Sequence, residues 1–164
     1  MRSRAAICVA PGRALAIDEI EVEGPRAGEA LVAIAATGVC HTDSLALTGE
    51  NAACVYPAVL GHEGAGVVLE VGPEGTLVAK GDHVIPLYGP ECGSCRFCRS
   101  GRTNLCWSIK ATRDKGVMPD GTARFRRGGA ALHHFMGPST FSQLTVVPEI
   151  ALAKIRRDAP LAGV

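Results

Sequence analysis

Four cysteines fall within fifteen residues, spaced Cys92-x2-Cys95-x2-Cys98-x7-Cys106. No other feature restricts the fold of this chain as much. A Cys-x-x-Cys step lets two thiolates grip one ion from a tight turn, and Gly93 and Ser94 suit that turn. The second step repeats the grip, and the excursion Arg99–Leu105 returns the fourth sulfur. Four soft donors at about 2.3 Å complete a tetrahedral zinc and leave no place for water or substrate, so such a site is structural. Arg96, Arg99 and Arg102 offset the charge of a zinc tetrathiolate. Free thiols and an iron–sulfur cluster are the competing assignments. The ferredoxin run places a proline after its last cysteine, whereas Trp107 follows Cys106 here. The chain has seven cysteines, an odd number, which argues against the paired disulfides of a secreted domain. In a reducing compartment such crowding points to metal.

Around this cluster the chain reads as short strands. Twenty glycines and ten prolines punctuate brief apolar runs. Leu15, Ile17, Ile20 and Val22 roughly alternate with polar residues before the Gly24-Pro25 turn. Further strands are expected at Ala30–Ala35, Gly66–Val71, His83–Leu87, Phe141–Val147 and Ile150–Ile155. A short helix is expected over Thr42–Leu47, with Thr42 or Asp43 near its N-cap. Residues 91–127 lack apolar periodicity and read as a long loop without a core of its own, which a metal would explain. A length of 164 residues suits one domain, 1–164, with this lobe inside it. The longest apolar run is shorter than the roughly 20 residues a bilayer requires. Pro11 and Gly12 cut off the apolar start. A cytoplasmic protein without a membrane partner is expected. No Gly-x-G-x-x-Gly pattern joins a strand to a helix, so the chain shows no dinucleotide-binding unit of its own.

Charge is unevenly spread. Residues 1–82 hold five Lys/Arg and eleven Asp/Glu, whereas residues 83–164 hold twelve and five. A basic half can meet an anionic ligand, a nucleic acid or an acidic neighbour, or simply form a solvated face.

A second constellation joins Cys40, followed by His41-Thr42-Asp43, to His62 and Glu63 between glycines. A catalytic zinc takes three protein ligands and keeps one open position. Cys40 and His62 are suitable donors, and Glu63 is a nearby carboxylate or an occasional ligand. Thr42 could pass a proton from an alcohol, and Asp43 could orient the imidazole. From spacing alone the metal signal is weak, and the alternative is the commoner case: a lone cysteine is usually a small buried hydrophobe and a lone histidine is usually structural.

The runs Gly38-Val39-Cys40-His41-Thr42-Asp43, Leu60-Gly61-His62-Glu63-Gly64-Ala65-Gly66 and Gly81-Asp82-His83-Val84-Ile85-Pro86-Leu87-Tyr88 resemble the zinc-dependent medium-chain alcohol dehydrogenases. The likeness continues through the cysteine lobe, Lys115–Gly121 and Ser139-Thr140-Phe141-Ser142, and is closest to the glutathione-dependent formaldehyde dehydrogenases. It implies a GroES-like catalytic domain, mainly β with short helices, with the Rossmann domain absent. It makes Cys40 and His62 ligands of a catalytic zinc with Glu63 beside them, and Cys92, Cys95, Cys98 and Cys106 ligands of a structural zinc. It gives Thr42 the proton relay and His41 the pyrophosphate of NAD. Tyr88 and Phe141 line the substrate pocket. The implied reaction is oxidation of S-(hydroxymethyl)glutathione, or a related primary alcohol, by hydride transfer to NAD, in formaldehyde detoxification and in a homo-oligomeric parent. The third catalytic ligand of the family, a cysteine, and its NAD domain would lie beyond Val164, so the 164-residue chain is expected to be inactive alone. Cys8 and Cys54 match no ligand position.

The chain departs from the glutathione-dependent members where they carry acidic residues and it has Asn51 and Ala53. Lys110 replaces a carboxylate-gripping arginine and loses the bidentate fork. Leu45 stands where some relatives carry a relay histidine. Two other readings stand beside the enzyme: a zinc module that contacts nucleic acid through the nine Lys/Arg of residues 96–127, and a truncated regulatory subunit of a full-length dehydrogenase. Aromatic residues at 4% leave few platforms for base stacking.

Overall fold

The computed structural model describes all residues, 1–164. Ten strands and three short helices follow in the order β1 (Arg2–Cys8), β2 (Ala16–Val22), β3 (Glu29–Gly38), α1 (His41–Thr48), β4 (Ala58–Val59), β5 (Glu63–Val71), β6 (His83–Pro86), α2 (Arg96–Arg99), α3 (Trp107–Arg113), β7 (Phe125–Arg127), β8 (Ala130–His134), β9 (Leu144–Pro148) and β10 (Leu152–Ile155). Strands β1-β2-β7-β8-β4 close into a barrel, and β10-β6-β5-β3-β9 form a second sheet. No helix is long and apolar enough to cross a membrane.

Strand β3 ties the two units together. Successive side chains on a strand face opposite ways. Leu31 therefore joins Ile7, Ile20, Val22, Val59, Phe125 and Leu132 in the barrel core. Its neighbours Ala30 and Val32 pack with Val68, Val84 and Val147 in a second core. Strand β9 divides in the same way, with Val146 in the first core and Val147 in the second. Apart from Ala30, each of these side chains contributes about 1.5–3 kcal/mol when fully buried. The β3–β5 register slips at Leu31/Val32 and again at Ile34/Ala36. Such irregularities re-aim the strand beyond them. Past the second slip, Gly38 faces Glu63 and the chain runs into Cys40.

Several expectations need correction. Helix α1 begins at His41, one residue before the expected start, with Cys40 as its N-cap and Thr42 and Asp43 beside it in the first turn as expected. The Cys40 N–H donates to Asp43 Oδ2 at 3.0 Å, so Asp43 acts from inside the first turn. The run at Phe141–Val147 pairs as a strand only from Leu144. Phe141, Ser142 and Gln143 run beside β1 instead, bonded to Ala6 and Arg4. Residues 91–127 are not a bare loop. They hold α2, a 3-10 turn at Thr103–Leu105, α3 and β7, and their last part enters the barrel, where Met118 and Phe125 are buried.

Part of the charge asymmetry is taken up inside the fold, by Arg124, Arg126, Arg127, Lys154 and Arg157. Arg124 is fully buried, with Nη2 at 2.6 Å and Nε at 2.9 Å from the Glu29 carboxylate and Nη2 at 2.7 Å from Asp120. Arg26 pairs with Asp120 at 2.8 Å and Arg126 with Glu23 at 3.0 Å. Arg127 reaches Asp18, and Arg157 and Lys154 reach Asp82. The basic second half thus meets the acidic first half of the same chain. A buried ion pair adds little net stability over an apolar replacement, but losing one partner leaves a stranded charge.

Candidate metal centres

The lobe between β6 and β7 has almost no apolar interior: of its residues 91–113 only Cys106 and Ile109 are buried. Its four cysteines are unbridged thiols whose sulfurs all lie within 4.8 Å of one another. Sulfurs bound at about 2.3 Å to one tetrahedral centre sit about 3.8 Å apart. The observed separations are 3.5 Å for Cys95–Cys98 and 4.0 Å for Cys92–Cys98 and Cys95–Cys106. The geometry fits a four-thiolate zinc. The Ser94 hydroxyl, with the N–H groups of Ser94 and Cys95, holds the Cys92 thiol down to about 5. Burial, and then the neighbouring Cys95, pushes Cys98 up to about 11. Four close thiols cannot all ionise unaided, and a divalent cation removes that conflict. Arg96 lies 4.7 Å from the Phe97 ring centre and 4.6 Å from that of Trp107. The two rings meet edge to face at 5.5 Å.

The second group is assembled from distant parts of the chain. Cys40 ends the β3 excursion, Glu63 opens β5, and donor atoms of Cys40, His62 and Glu63 lie within 4.8 Å of one another. Asp43, only 1% exposed, staples the two branches. Its Oδ2 accepts from the Cys40 N–H, and its Oδ1 accepts from the Gly61 N–H at 3.0 Å. Asp43 Oδ1 also lies 3.6 Å from His62 Nδ1, too far for a hydrogen bond, and that buried nitrogen has no other partner. An orphaned ring nitrogen beside a carboxylate is what a metal-bound imidazole requires once the two close up. Three donors with an open side fit a metal that keeps an exchangeable position. A cleft of about 440 Å³ opens there, lined by Thr37, Gly38, His62, Glu63, Pro86 and Leu161 among others. Gly38 leaves room for the Glu63 carboxylate: a Cβ there would lie 2.6 Å from Oε2 and push that side chain aside.

The other expected residues divide. Thr42 Oγ1 is 3.6 Å from Cys40 Sγ. His41 is the exposed first residue of α1. Tyr88 meets His62 edge to face at 6.1 Å. Phe141 lies behind the His62 loop, where its ring would collide with any Cβ on Gly61. Lys110 is exposed on α3, in a groove of about 410 Å³ with Phe97, Trp107 and Arg113 that does not include His62. Leu45, Asn51 and Ala53 lie on α1 or the turn after it. Phe135 was not anticipated. It is buried and packs edge to face on His62 at 6.0 Å. Nothing in its sequence neighbourhood marks it, because its role comes from the chain return after β8.

Comparisons with known proteins agree with this arrangement. Residues 26–157 match the family described as Alcohol dehydrogenase GroES-like domain. The chain is 58% identical over 159 residues to S-(hydroxymethyl)glutathione dehydrogenase of Escherichia coli O1:K1 / APEC, covering 97% of this chain and 43% of that protein. The protein of that name from Shigella sonnei (strain Ss046) matches equally. The chain therefore spans less than half the length of these curated relatives. Among solved structures, an alcohol dehydrogenase zinc-binding domain protein from Burkholderia ambifaria superposes with a TM-score of 0.90 at 37% identity, over 98% of this chain and 44% of that one. Benzyl alcohol dehydrogenase from Acinetobacter calcoaceticus superposes with a TM-score of 0.87 at 30% identity, over 98% and 43%. With a closed β barrel, a four-cysteine lobe and an open three-donor group in the same chain, this protein belongs to the alcohol dehydrogenase GroES-like domain family.

Proposed function

We propose that residues 1–164 are the metal-binding, substrate-facing domain of a zinc-dependent, NAD-linked alcohol dehydrogenase, with a structural zinc lobe at 91–127. The observation that carries this reading is the pairing of a closed four-sulfur group with an open group of Cys40, His62 and Glu63 backed by Asp43. Zinc at the open group would supply Lewis acidity to an alcohol oxygen, and NAD in the complete enzyme would accept the hydride.

The chain's own residues would do the rest. Cys40 and His62 hold the ion, with Glu63 as a third donor or a neighbouring carboxylate. Asp43 fixes the imidazole. Thr42, whose hydroxyl lies beside the Cys40 sulfur, would relay the alcohol proton, accepting it while giving up its own toward solvent. Tyr88, Phe135 and Phe141 shape the apolar side of the pocket, and His41 meets the cofactor pyrophosphate. Cys92, Cys95, Cys98 and Cys106 hold the structural zinc.

The substrate is a primary alcohol, with S-(hydroxymethyl)glutathione the first choice, since the E. coli relative bears that name. Lys110 would offer its carboxylate a point charge in place of a bidentate fork. The complete enzyme is placed in the cytoplasm as a homo-oligomer, in formaldehyde detoxification. Ion pairing of Arg113, Arg124, Arg126 and Arg127 within the chain weighs against a nucleic-acid role. The test compares rates of the complete enzyme with S-(hydroxymethyl)glutathione and with simple primary alcohols. A clear preference for the glutathione adduct supports the assignment, and equal rates shift it to a simple alcohol.

A further inference from the structure

The His62–Glu63 loop is braced from behind by a side chain that the proposed function does not use. Thr140 is 1% exposed. Its Oγ1 is 2.7 Å from the Thr37 hydroxyl on β3. Its N–H donates to the Gly61 carbonyl at 3.0 Å. Its methyl fills the hollow over Gly64, where an added Cβ would come within 2.5 Å of it, and its hydroxyl faces Gly61, where a Cβ would come within 2.6 Å. Gly61 and Gly64 flank the His62-Glu63 pair, and Thr37 lies three residues before Cys40. One side chain therefore touches both branches that carry donors. Its own place is fixed by Ser139, whose backbone is left-handed at φ +49° and whose Oγ accepts from the Phe135 N–H at 2.8 Å.

We propose that Thr140 is a positioning residue for the Cys40–His62–Glu63 site: its hydroxyl bond to Thr37, and its methyl in the space left by Gly64, set the separation of the two donor branches. The inference rests on the reading of those three residues as a metal site. Thr140 holds no metal. It acts through Thr37, Gly61 and Gly64, as partners behind a ligand shell do when they tune affinity by orienting the donors. A hydroxyl pair between β3 and the segment that precedes β9 fixes distance more narrowly than apolar packing alone, since it has one short optimum.

The test uses the 164-residue chain with its lobe filled by zinc, titrated with cobalt(II) alone. Absorption from the single Cys40 thiolate and the cobalt d–d bands report affinity and geometry at the open site. Thr140→Val keeps the shape and removes the hydroxyl, and is expected to weaken cobalt binding about tenfold and shift the d–d bands. Thr140→Ser keeps the hydroxyl and should recover most of the affinity. Thr37→Val removes the other half of the bond from an exposed position on β3, with the β-branched shape kept. It should weaken binding to a similar degree, and the double variant should lose little more than either single one. A parental spectrum and affinity in Thr37→Val, or a serine variant no better than the valine one, would overturn the proposal. No cobalt uptake at all by the parent chain would instead contradict the metal-site reading beneath it.

Discussion

The two candidate metal centres are built in opposite ways. The lobe gathers four like donors from fifteen consecutive residues, on turns and helices too short to persist alone. The open group gathers three unlike donors from residues 40 and 62–63, held at the ends of paired strands with a buried carboxylate between them. In the lobe the metal would make the structure, because little else there is buried. At the open group the structure makes the site, because β3, β5 and Asp43 are in place whatever occupies it. The difference shows why one centre can be closed and inert while the other is open and sensitive to neighbours it never touches.

The largest expected effect comes from breaking the closed centre. Cys98→Ser should abolish the lobe's zinc and unfold residues 91–113. Trp107, beside Cys106 and stacked on Arg96, reports this by fluorescence. Hydrogen exchange should show the barrel core around Phe125 still protected. Global unfolding would merge the two regions into one cooperative unit.

Next is the strut that returns the lobe to the barrel. Arg124→Met strands the buried Glu29 carboxylate, while Asp120 keeps Arg26, and should cost about 3–5 kcal/mol in urea unfolding. A loss below about 1 kcal/mol would mean that the barrel end does not depend on it.

His134, packed beside the same strut, gives a pH-dependent version. Burial above all, with Arg124 and His133 nearby, lowers its pKa to about 4. The unfolded chain then binds the extra proton first. This contribution, roughly 3 kcal/mol, is complete above about pH 6.5 and is lost as pH falls toward 4. His134→Asn should flatten that part of the stability profile, and an unchanged slope would remove His134 as its source.

Asp43→Asn sharpens the contrast most selectively. Metal affinity at the open group should fall about 10–100-fold while lobe zinc is retained. Equal losses at both centres would show that they are not independent. The smallest effect belongs to the surface: Arg127→Ala, opposite Asp18, should change stability by less than about 1 kcal/mol in the same urea assay.

The sequence made some of this plain and hid the rest for physical reasons. The cysteine spacing is local, so the lobe's donors could be read directly. Alternation marked β2, and apolar runs marked β3, β5 and β6. Strand β1 was missed because its inward residues include Ser3 and Ala5, too small and polar to stand out. The β7–β8 hairpin did carry a signal in Gly128-Gly129, both left-handed, between Phe125 and Leu132. Of the nine basic residues of 96–127, Arg124, Arg126 and Arg127 read as part of a binding face because their partners Glu29, Glu23 and Asp18 lie about a hundred positions away. Asp43 was legible from its closeness to Cys40. Phe135 carried no local signal, and Thr140 stood in the Ser139-Thr140-Phe141-Ser142 run without its role being legible, because only the chain return after β8 places both behind His62.

The most direct test of the account is zinc per chain after dialysis against a mild chelator, for the parent chain, Cys98→Ser and Cys40→Ser. One tightly held zinc in the parent and in Cys40→Ser, and none in Cys98→Ser, is the predicted result. A zinc that survives in Cys98→Ser, or one lost from Cys40→Ser, would contradict the division into a closed centre that makes its lobe and an open centre that the fold makes.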